Sequence, residues 1–357
     1  MVPRRSLPRM TLTDGPIFVG IGGDSGSGKS TLAAAFYDLF GPERITTICL
    51  DDYHSLDREE RKLVKLTPLN LRANNFGLME MQLWALKRGE AIEKPVYDHH
   101  DGTFKEPEWL EPNEVVICQG LHPFLVPGVR EAFDLKVWLD PDPELRLEWK
   151  LQRDVAKRGY NEDQVHAEIE SRRPDAEKYI APQRQHADLV VRFYPPEPAL
   201  RDMGHLNVRV VERHTLPRLS FDQRLHDGEM INLQLDVVDE DGRKSDVIEI
   251  DGRIPADKAT KIEDTVWAHA HELHEHLHQV RPDELGSFDS PLLRRGHSDP
   301  LALTQLILAH RIMSAQKSLL VRVSDKSLVA GNRHGEALTV QTQDDGQTLM
   351  VQTGEAG

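Results

Sequence analysis

Short, continuous apolar runs alternate with segments of helical period through the first half of the chain. PIFVGIGG (16–23), ITTICLDD (45–52), EVVICQG (114–120), LKVWLD (135–140) and ADLVVRF (187–193) each read as a strand that is apolar throughout. Between them, KSTLAAAFYDLF (29–40) carries helical spacing until Gly41-Pro42 stops it. NFGLMEMQLWALKRG (75–89) and the stretch from Asp142 to Gly159 do the same, each closing on a glycine. Strands apolar on both faces and alternating with helices predict an α/β fold, with a mostly parallel sheet flanked by helices. After YPPEP (194–198) the texture changes. LNVRVVER and MINLQLDVVDEDGRKSDVIEIDG alternate and contain turn signals, which predicts an extension of mixed or antiparallel β structure. Helical stretches at 260–280 and 299–316 follow. The expected organisation is a disordered tail (1–15), an α/β core (16–197), a C-terminal β/α extension (198–324) and a polar tail (325–357).

Composition narrows the class. The 357 residues suffice for a large core, and 39% hydrophobic with 29% charged residues is ordinary for a globular protein. The net charge of −15 argues against non-specific nucleic-acid binding, which needs an excess of Lys and Arg. No apolar run approaches the roughly 18 residues of a membrane span. The basic opening MVPRRSLPRM has no apolar segment behind it and does not read as a signal peptide. Two cysteines, Cys49 and Cys118, make no disulfide framework, and a reducing cytoplasm is the simplest compartment.

The strongest chemical signal is GDSGSGKS, Gly23 to Ser30, which fits G-x-x-x-x-G-K-[ST] between a predicted strand and a predicted helix. This motif makes the expected architecture a P-loop kinase fold. Backbone N–H groups of Gly23, Asp24, Ser25, Gly26, Ser27 and Gly28 would wrap the phosphates of ATP at a helix N-terminus, with Thr31 completing the segment. Lys29 would neutralise the phosphates, and the Ser30 hydroxyl would hold Mg²⁺.

A second signal is ICLDDYHSLDR (48–58), a strand that ends in two adjacent carboxylates. Ligands of doubly wound sheets sit outside the carboxyl ends of the strands, so Asp51 and Asp52 are expected to face the phosphate loop. There a carboxylate can take the proton of an attacking hydroxyl or hold the water shell of Mg²⁺. His54 and Arg58 stand close by, placed for a phosphorylated acceptor. Helix capping and surface ion pairs would explain the same residues in a chain lacking the loop. A third cluster lies in the helix after Asp142. Lys150, Arg153, Asp154, Lys157 and Arg158 share one arc, with Leu147, Leu151 and Val155 beside it. An exposed face laced with i,i+4 pairs is the bland reading; closure over phosphates is the functional one.

In order along the chain, GDSGSGKST, ICLDDYHSLDR, LRANNFGLM, EKPVYDHHDG, GLHP and WKLQRD…RG resemble the phosphoribulokinases of the Calvin cycle, within the wider family that includes uridine kinases. The likeness covers 17–195 closely. VIEIDGR and the helix at 299–316 more loosely resemble the photosynthetic, plant-like branch. The resemblance implies transfer of phosphate from ATP to the 1-hydroxyl of ribulose 5-phosphate. It implies Asp51 as general base and Asp154 as a second important carboxylate. His54, Arg58, Lys150, Arg153 and Arg158 match residues that bind the sugar phosphate or the transferring phosphoryl group. PVYDHH matches a loop lining the acceptor site, which adds Tyr97 and His99. A homodimer is implied as well.

Two departures stand out. The family's usual EGLHP, whose Glu serves the Mg²⁺–ATP site, is QGLHP here, with Gln119. A neutral amide can accept a bond from metal-bound water but cannot offset the metal's charge. The plastid enzymes pair a loop Cys with one two residues before the catalytic Asp; this chain keeps Cys49 but has Ser27 in the loop, so that switch is absent. Alternatives remain a related kinase acting on another sugar, sugar phosphate or nucleoside, and a nucleotide-binding regulator whose catalysis Gln119 impairs.

WAHAHELHEHLHQV (267–280) holds five histidines, of which His271, His274 and His278 could share a helix face. The regular stripe Val266, Ala270, Leu273, Leu277 and Val280 makes this a packing helix rather than a zinc site. Trp84 and Trp149 read as packing residues too.

Overall fold

The computed structural model describes residues 15–197, 205–215, 229–273, 285–290, 294–330, 338–339 and 352–353. One compact unit spans Gly15–Ala315. Its centre is an eight-stranded sheet formed by β1 (Ile17–Gly23), β2 (Ile45–Cys49), β5 (Val115–Gly120), β6 (Leu135–Leu139), β7 (Leu189–Tyr194), β8 (Asn207–Arg213), β9 (Ile231–Val238) and β10 (Lys244–Ile250). The order is β2-β5-β1-β6-β7-β8-β10-β9. From β2 to β7 the strands run parallel; β8, β10 and β9 continue the sheet antiparallel. The sheet therefore crosses the boundary expected near 197 without a break, through the pairing of β7 with β8.

Burial explains the texture of the strands. All seven residues of β1 are buried, as a central parallel strand covered on both faces requires. β9, at the edge, alternates loosely and leaves Leu235 and Val238 exposed. The covering helices are α1 (Lys29–Phe40), α2 (Arg58–Leu63), α3 (Phe76–Lys87), α4 (Pro127–Arg130), α5 (Pro143–Arg158) and α6 (Glu162–Asp175). Further on lie α7 (Ala256–Leu273) and α8 (Asp299–Ala330). α5 starts at an Asp142 cap and stops at Gly159, which adopts the left-handed conformation. From Pro300 to Met313, α8 is buried on every side, and its Arg311 Nε donates to Glu212 of β8 at 2.8 Å inside the fold. Trp84 donates its indole N–H to Gly128 O at 2.9 Å, and the Trp149 ring lies 6.1 Å from Phe193.

Three elements differ from expectation. The strand at 45–52 ends at Cys49, and Leu50–Asp52 form a 3₁₀ turn. PVYDHH (95–100), expected as a loop, is the end of β3 (Ile92–Asp98) and the start of the turn joining it to β4 (Thr103–Leu110), an antiparallel hairpin of its own. Pro95 falls at a register shift between Lys94 and Val96, where a residue without an N–H costs the ladder nothing. The small strands β11 (Ser287–Ser290) and β12 (Arg294–His297) were not anticipated either.

A second unit takes in Met1–Asp14 and Gln316–Gly357. Within it, Leu338–Thr339 pairs antiparallel with Gln352–Thr353, and α8 continues to Ala330, into the segment expected as a polar tail. Residues 1–14 of the tail expected at 1–15, and the histidines His274, His276 and His278, lie outside the described residues. Among the described residues, no helix is long and apolar enough to cross a membrane.

Candidate active site

The C-terminal ends of β1, β2 and β5 meet at one end of the sheet, and each contributes one functional segment. β1 runs into the phosphate loop. Gly23, Gly26 and Gly28 all have positive φ, which turns successive N–H groups toward a common centre. Lys29 Nζ donates to Gly23 O and Asp24 O, both at 2.8 Å, and so lies within the loop's curve. Burial lowers the pKa of its ammonium, while the charges of Asp51 and Asp24 oppose the shift. Ser30, exposed, and Thr31 open α1.

The polar face of α5, not its apolar stripe, is the face that docks. Arg146 Nη1 lies 2.7 Å from Asp24 Oδ2, and Arg153 Nη2 donates to Ser25 Oγ at 3.0 Å. The backbone of Gly26 lies so close to the helix that a Cβ there would stand 2.9 Å from Lys150 Cβ. Asp154 is fully buried and accepts from Lys150 at 2.6 Å and Arg153 at 2.8 Å. Burial pushes its carboxyl up, yet the bonds from Arg153 and Lys150 outweigh this and hold the pKa below the ordinary value. Lys150 also reaches Glu168 of α6 at 3.0 Å. Lys150 is therefore committed to carboxylates, and Val155, expected in the apolar stripe, is exposed. The Arg158 side chain lies outside the described residues.

Asp51 and Asp52 part company. Asp51 Oδ1 accepts from Leu121 N at 2.8 Å, across Gly120, whose missing side chain permits the approach: a Cβ would stand 3.0 Å from that oxygen. Of the two, Asp51 is the one whose charge acts on the loop lysine. The expectation that Asp52 also faces the loop is not met. Its Oδ2 binds Lys94 Nζ of β3 at 2.5 Å, and both side chains are buried. Consecutive residues of a 3₁₀ turn point about 120° apart, so one carboxylate goes each way.

Beside Asp51 lies a buried cluster of basic and aromatic side chains. His54 Nδ1 is 2.9 Å from Asn74 Oδ1, and its ring stands edge-on to Tyr97 at 4.8 Å. Burial and the charge of Arg61 lower its pKa to about 4, so the imidazole is neutral near pH 7. His99 packs edge-on against Tyr97 at 5.1 Å. Arg58 holds the hairpin turn through His99 O at 2.6 Å and His100 O at 3.1 Å.

Arg61 was missed by sequence reasoning. It is buried and donates to Leu56 O and to the Tyr97 hydroxyl, both at 2.6 Å. Among the described residues neither Arg58 nor Arg61 has a carboxylate within ion-pair distance. A cation buried without an anion suits an anionic ligand. The available signal was Asp57 and Glu60, which form a reciprocal capping box and place Arg58 and Arg61 one helical turn apart on α2. Lys94, Arg146 and Asn74 were also missed.

The residues present fit a nucleotide with its metal. Among the described residues, Ser27 Oγ and Gln119 Oε1 are buried with no hydrogen-bond partner. Gln119 pairs in register with Ile21 of β1 and Cys49 of β2, two residues before the phosphate loop and two before Asp51. Oxygen donors of this kind suit a hard cation that keeps its waters.

Comparisons with known proteins agree with this geometry. Residues 18–198 match the model of the Phosphoribulokinase / Uridine kinase family. The phosphoribulokinase of Synechocystis sp. is 45% identical over 219 residues, 60% of this chain and 66% of that one. The chloroplastic phosphoribulokinase of Spinacia oleracea is 40% identical over 216 residues, 55% of this chain and 54% of that one. The chain thus spans just under two thirds of the first and about half of the second. A uridine kinase of Clostridium perfringens is 32% identical over 49% of this chain and 86% of its own length. The solved phosphoribulokinase of Rhodobacter spheroides shares the fold, with a TM-score of 0.52 at 18% identity over 72% of this chain and 97% of that one. Motifs, sheet order and these matches lead to one conclusion: the chain belongs to the phosphoribulokinase / uridine kinase family.

Proposed function

We propose that this protein is an ATP-dependent kinase that phosphorylates the 1-hydroxyl of ribulose 5-phosphate, giving ribulose 1,5-bisphosphate and ADP. One observation carries the reading: the charge of Asp51 acts both on Lys29 of the phosphate loop and on His54, whose neighbours Arg58 and Arg61 have no carboxylate partner among the described residues. A phosphorylated acceptor would place its phosphate at the arginines and its hydroxyl at Asp51. Asp51 then takes the hydroxyl proton as general base, while the loop, Lys29 and Arg153 hold the transferring phosphoryl group. His54, being neutral, accepts a hydroxyl bond rather than neutralising phosphate. Tyr97 and His99 line the acceptor, and Asp154 fixes Lys150 and Arg153 beside the loop. Ser30 and a water held by Gln119 would hold Mg²⁺, which would offset the negative charge of the phosphates. The same reading has the protein working in the cytoplasm as a homodimer. The similarity to the phosphoribulokinases of Synechocystis sp. and Spinacia oleracea supports the choice of acceptor; the uridine kinase is a weaker match.

A coupled ADP-release assay with Mg²⁺–ATP tests it against ribulose 5-phosphate, ribose 5-phosphate, ribulose and uridine. Selective turnover of ribulose 5-phosphate is expected. Preference for uridine or unphosphorylated ribulose would overturn the role given to the arginines, and no ATP turnover on any acceptor would favour a nucleotide-binding regulator. Gln119→Glu should lower the Mg²⁺ concentration needed for half-maximal rate by roughly tenfold, because a carboxylate offsets metal charge that an amide cannot.

A further inference from the structure

A second set of ligating groups converges beside the acceptor site, and of its members only His99, which lines the acceptor, has a part in the proposed phosphoryl transfer. The Cys49 sulfur, a carboxylate oxygen of Asp52 and a ring nitrogen of His99 all lie within 4.8 Å of one another. They come from three separate elements: the end of β2, the 3₁₀ turn after it, and the turn of the β3–β4 hairpin. We propose that these three residues form a binding site for a thiophilic divalent cation of the zinc and cadmium class, and that its occupation closes the acceptor pocket. The blocking half rests on the kinase reading above; the binding half does not.

The donor set decides the class of ion. Sulfur, imidazole nitrogen and carboxylate oxygen are the ligands zinc takes, and three of them leave a fourth tetrahedral position open. Magnesium demands oxygen and near-octahedral geometry, so the cation that accompanies ATP does not compete for this sulfur. Bonds of about 2.0–2.3 Å bring tetrahedral donors to within roughly 3.3–3.8 Å of one another. Closing from 4.8 Å therefore needs a shift of about one ångström, within reach of side-chain rotation. Asp52 can contribute without giving up its ion pair. Oδ2 carries the 2.5 Å bond to Lys94, while Oδ1 has only a long contact of 3.4 Å with Tyr97 N. Binding releases the thiol proton of Cys49 to solvent, as metal–thiolate formation requires.

The consequence follows from position. His99 packs on Tyr97 at 5.1 Å, and its ring centre lies 6.5 Å from that of His54. A cation between Cys49 and His99 thus stands among the side chains that line the acceptor, one residue from the proposed base. Its charge would oppose proton uptake by Asp51, and its fourth ligand would occupy space assigned to the sugar.

Cadmium titrated into the full-length protein, free of nucleotide and magnesium, reports the site through its thiolate charge-transfer absorbance. One equivalent should saturate the band. Cys49→Ser should abolish it although Cys118 remains, buried in β5. His99→Gln should weaken binding at least tenfold, the lower end of what even outer-shell losses cost (about 10–100-fold). A band that survives Cys49→Ser, or an affinity unchanged in His99→Gln, overturns the site. Zinc should inhibit turnover competitively with the sugar phosphate and not with ATP, and a chelator should reverse it. Metal binding without that competition overturns the blockade. Should no acceptor be turned over while the cadmium band behaves as stated, the kinase reading fails and the site stands.

Discussion

The two sides of the candidate site are built by different means. On the nucleotide side, the work is done by backbone: glycines at positive φ turn N–H groups inward, and one contiguous stretch, Gly23 to Ser30, holds nearly everything. On the acceptor side, the work is done by side chains from α2, the 3₁₀ turn, Asn74 and the β3–β4 hairpin, which meet only in three dimensions. The first kind of site tolerates little change and is written in one place. The second can be re-aimed one residue at a time, which suits a family whose members act on both nucleosides and sugar phosphates.

Adjacent residues show the contrast at its sharpest, because Asp51 is the proposed base while Asp52 is bound to Lys94 inside the fold. Asp51→Asn keeps the bond from Leu121 N, so ATP binding should persist while kcat falls by about 10²–10⁴-fold. Equilibrium binding of a fluorescent ATP analogue beside the turnover assay separates the two effects. Undiminished turnover would remove Asp51 from its role as base. Lys94→Met should behave oppositely. It strands the buried Asp52 charge and should cost on the order of 3–5 kcal/mol of stability, read by denaturant unfolding. Adding Asp52→Asn should recover much of that loss, since the uncompensated charge is then gone. Glu108, which reaches Lys94 at 2.9 Å from an exposed position, remains solvated in either variant and should change little.

How far each side could be read from sequence follows from the same difference. The phosphate loop and α1 were legible to the residue, because a glycine pattern between strand and helix is a local backbone signal. The strands of the parallel sheet were legible because burial on both faces makes them apolar throughout. The directions of Asp51 and Asp52 were not, since a 3₁₀ turn and a lysine 42 residues away decide them. The β3–β4 hairpin was hidden for a physical reason. β4 is exposed along nearly its whole length and carries no buried face, and Pro95 and Pro107 interrupt both strands. α5 was legible as a helix but not in its orientation: its charged side meets the phosphate loop, and burial of Lys150 and Asp154 depends on their pairing with each other.

Arg61 offers a test that lies wholly on the acceptor side. Arg61→Gln keeps a donor for the Tyr97 hydroxyl and removes the charge. The KM for the phosphorylated acceptor should rise by about 10–100-fold, the loss of one charge-assisted bond of roughly 1.5–3 kcal/mol. The KM for ATP and the unfolding midpoint should move far less. Equal rises in both KM values would mean that Arg61 shapes the fold rather than the acceptor subsite.

The smallest expected effect concerns His54, whose pKa of about 4 lies below the ordinary value of 6.5 because of burial and the nearby Arg61 charge. Between those two values the unfolded chain binds the proton that the folded chain refuses. Stability therefore falls as pH drops from about 6.5 toward 4, and the contribution is fully restored above 6.5. The shift corresponds to at most about 3 kcal/mol, spread over that window. His54→Asn, which keeps a donor for Asn74, should flatten the decline of stability between pH 6.5 and 4 relative to the wild type, with little change at pH 8. Bound sugar phosphate should have a related effect on the wild type, because an anion beside Arg61 offsets the charge that holds the imidazole neutral. A slope that neither the substitution nor the ligand alters would place the acid sensitivity elsewhere and leave His54 as an ordinary packed residue of the pocket wall.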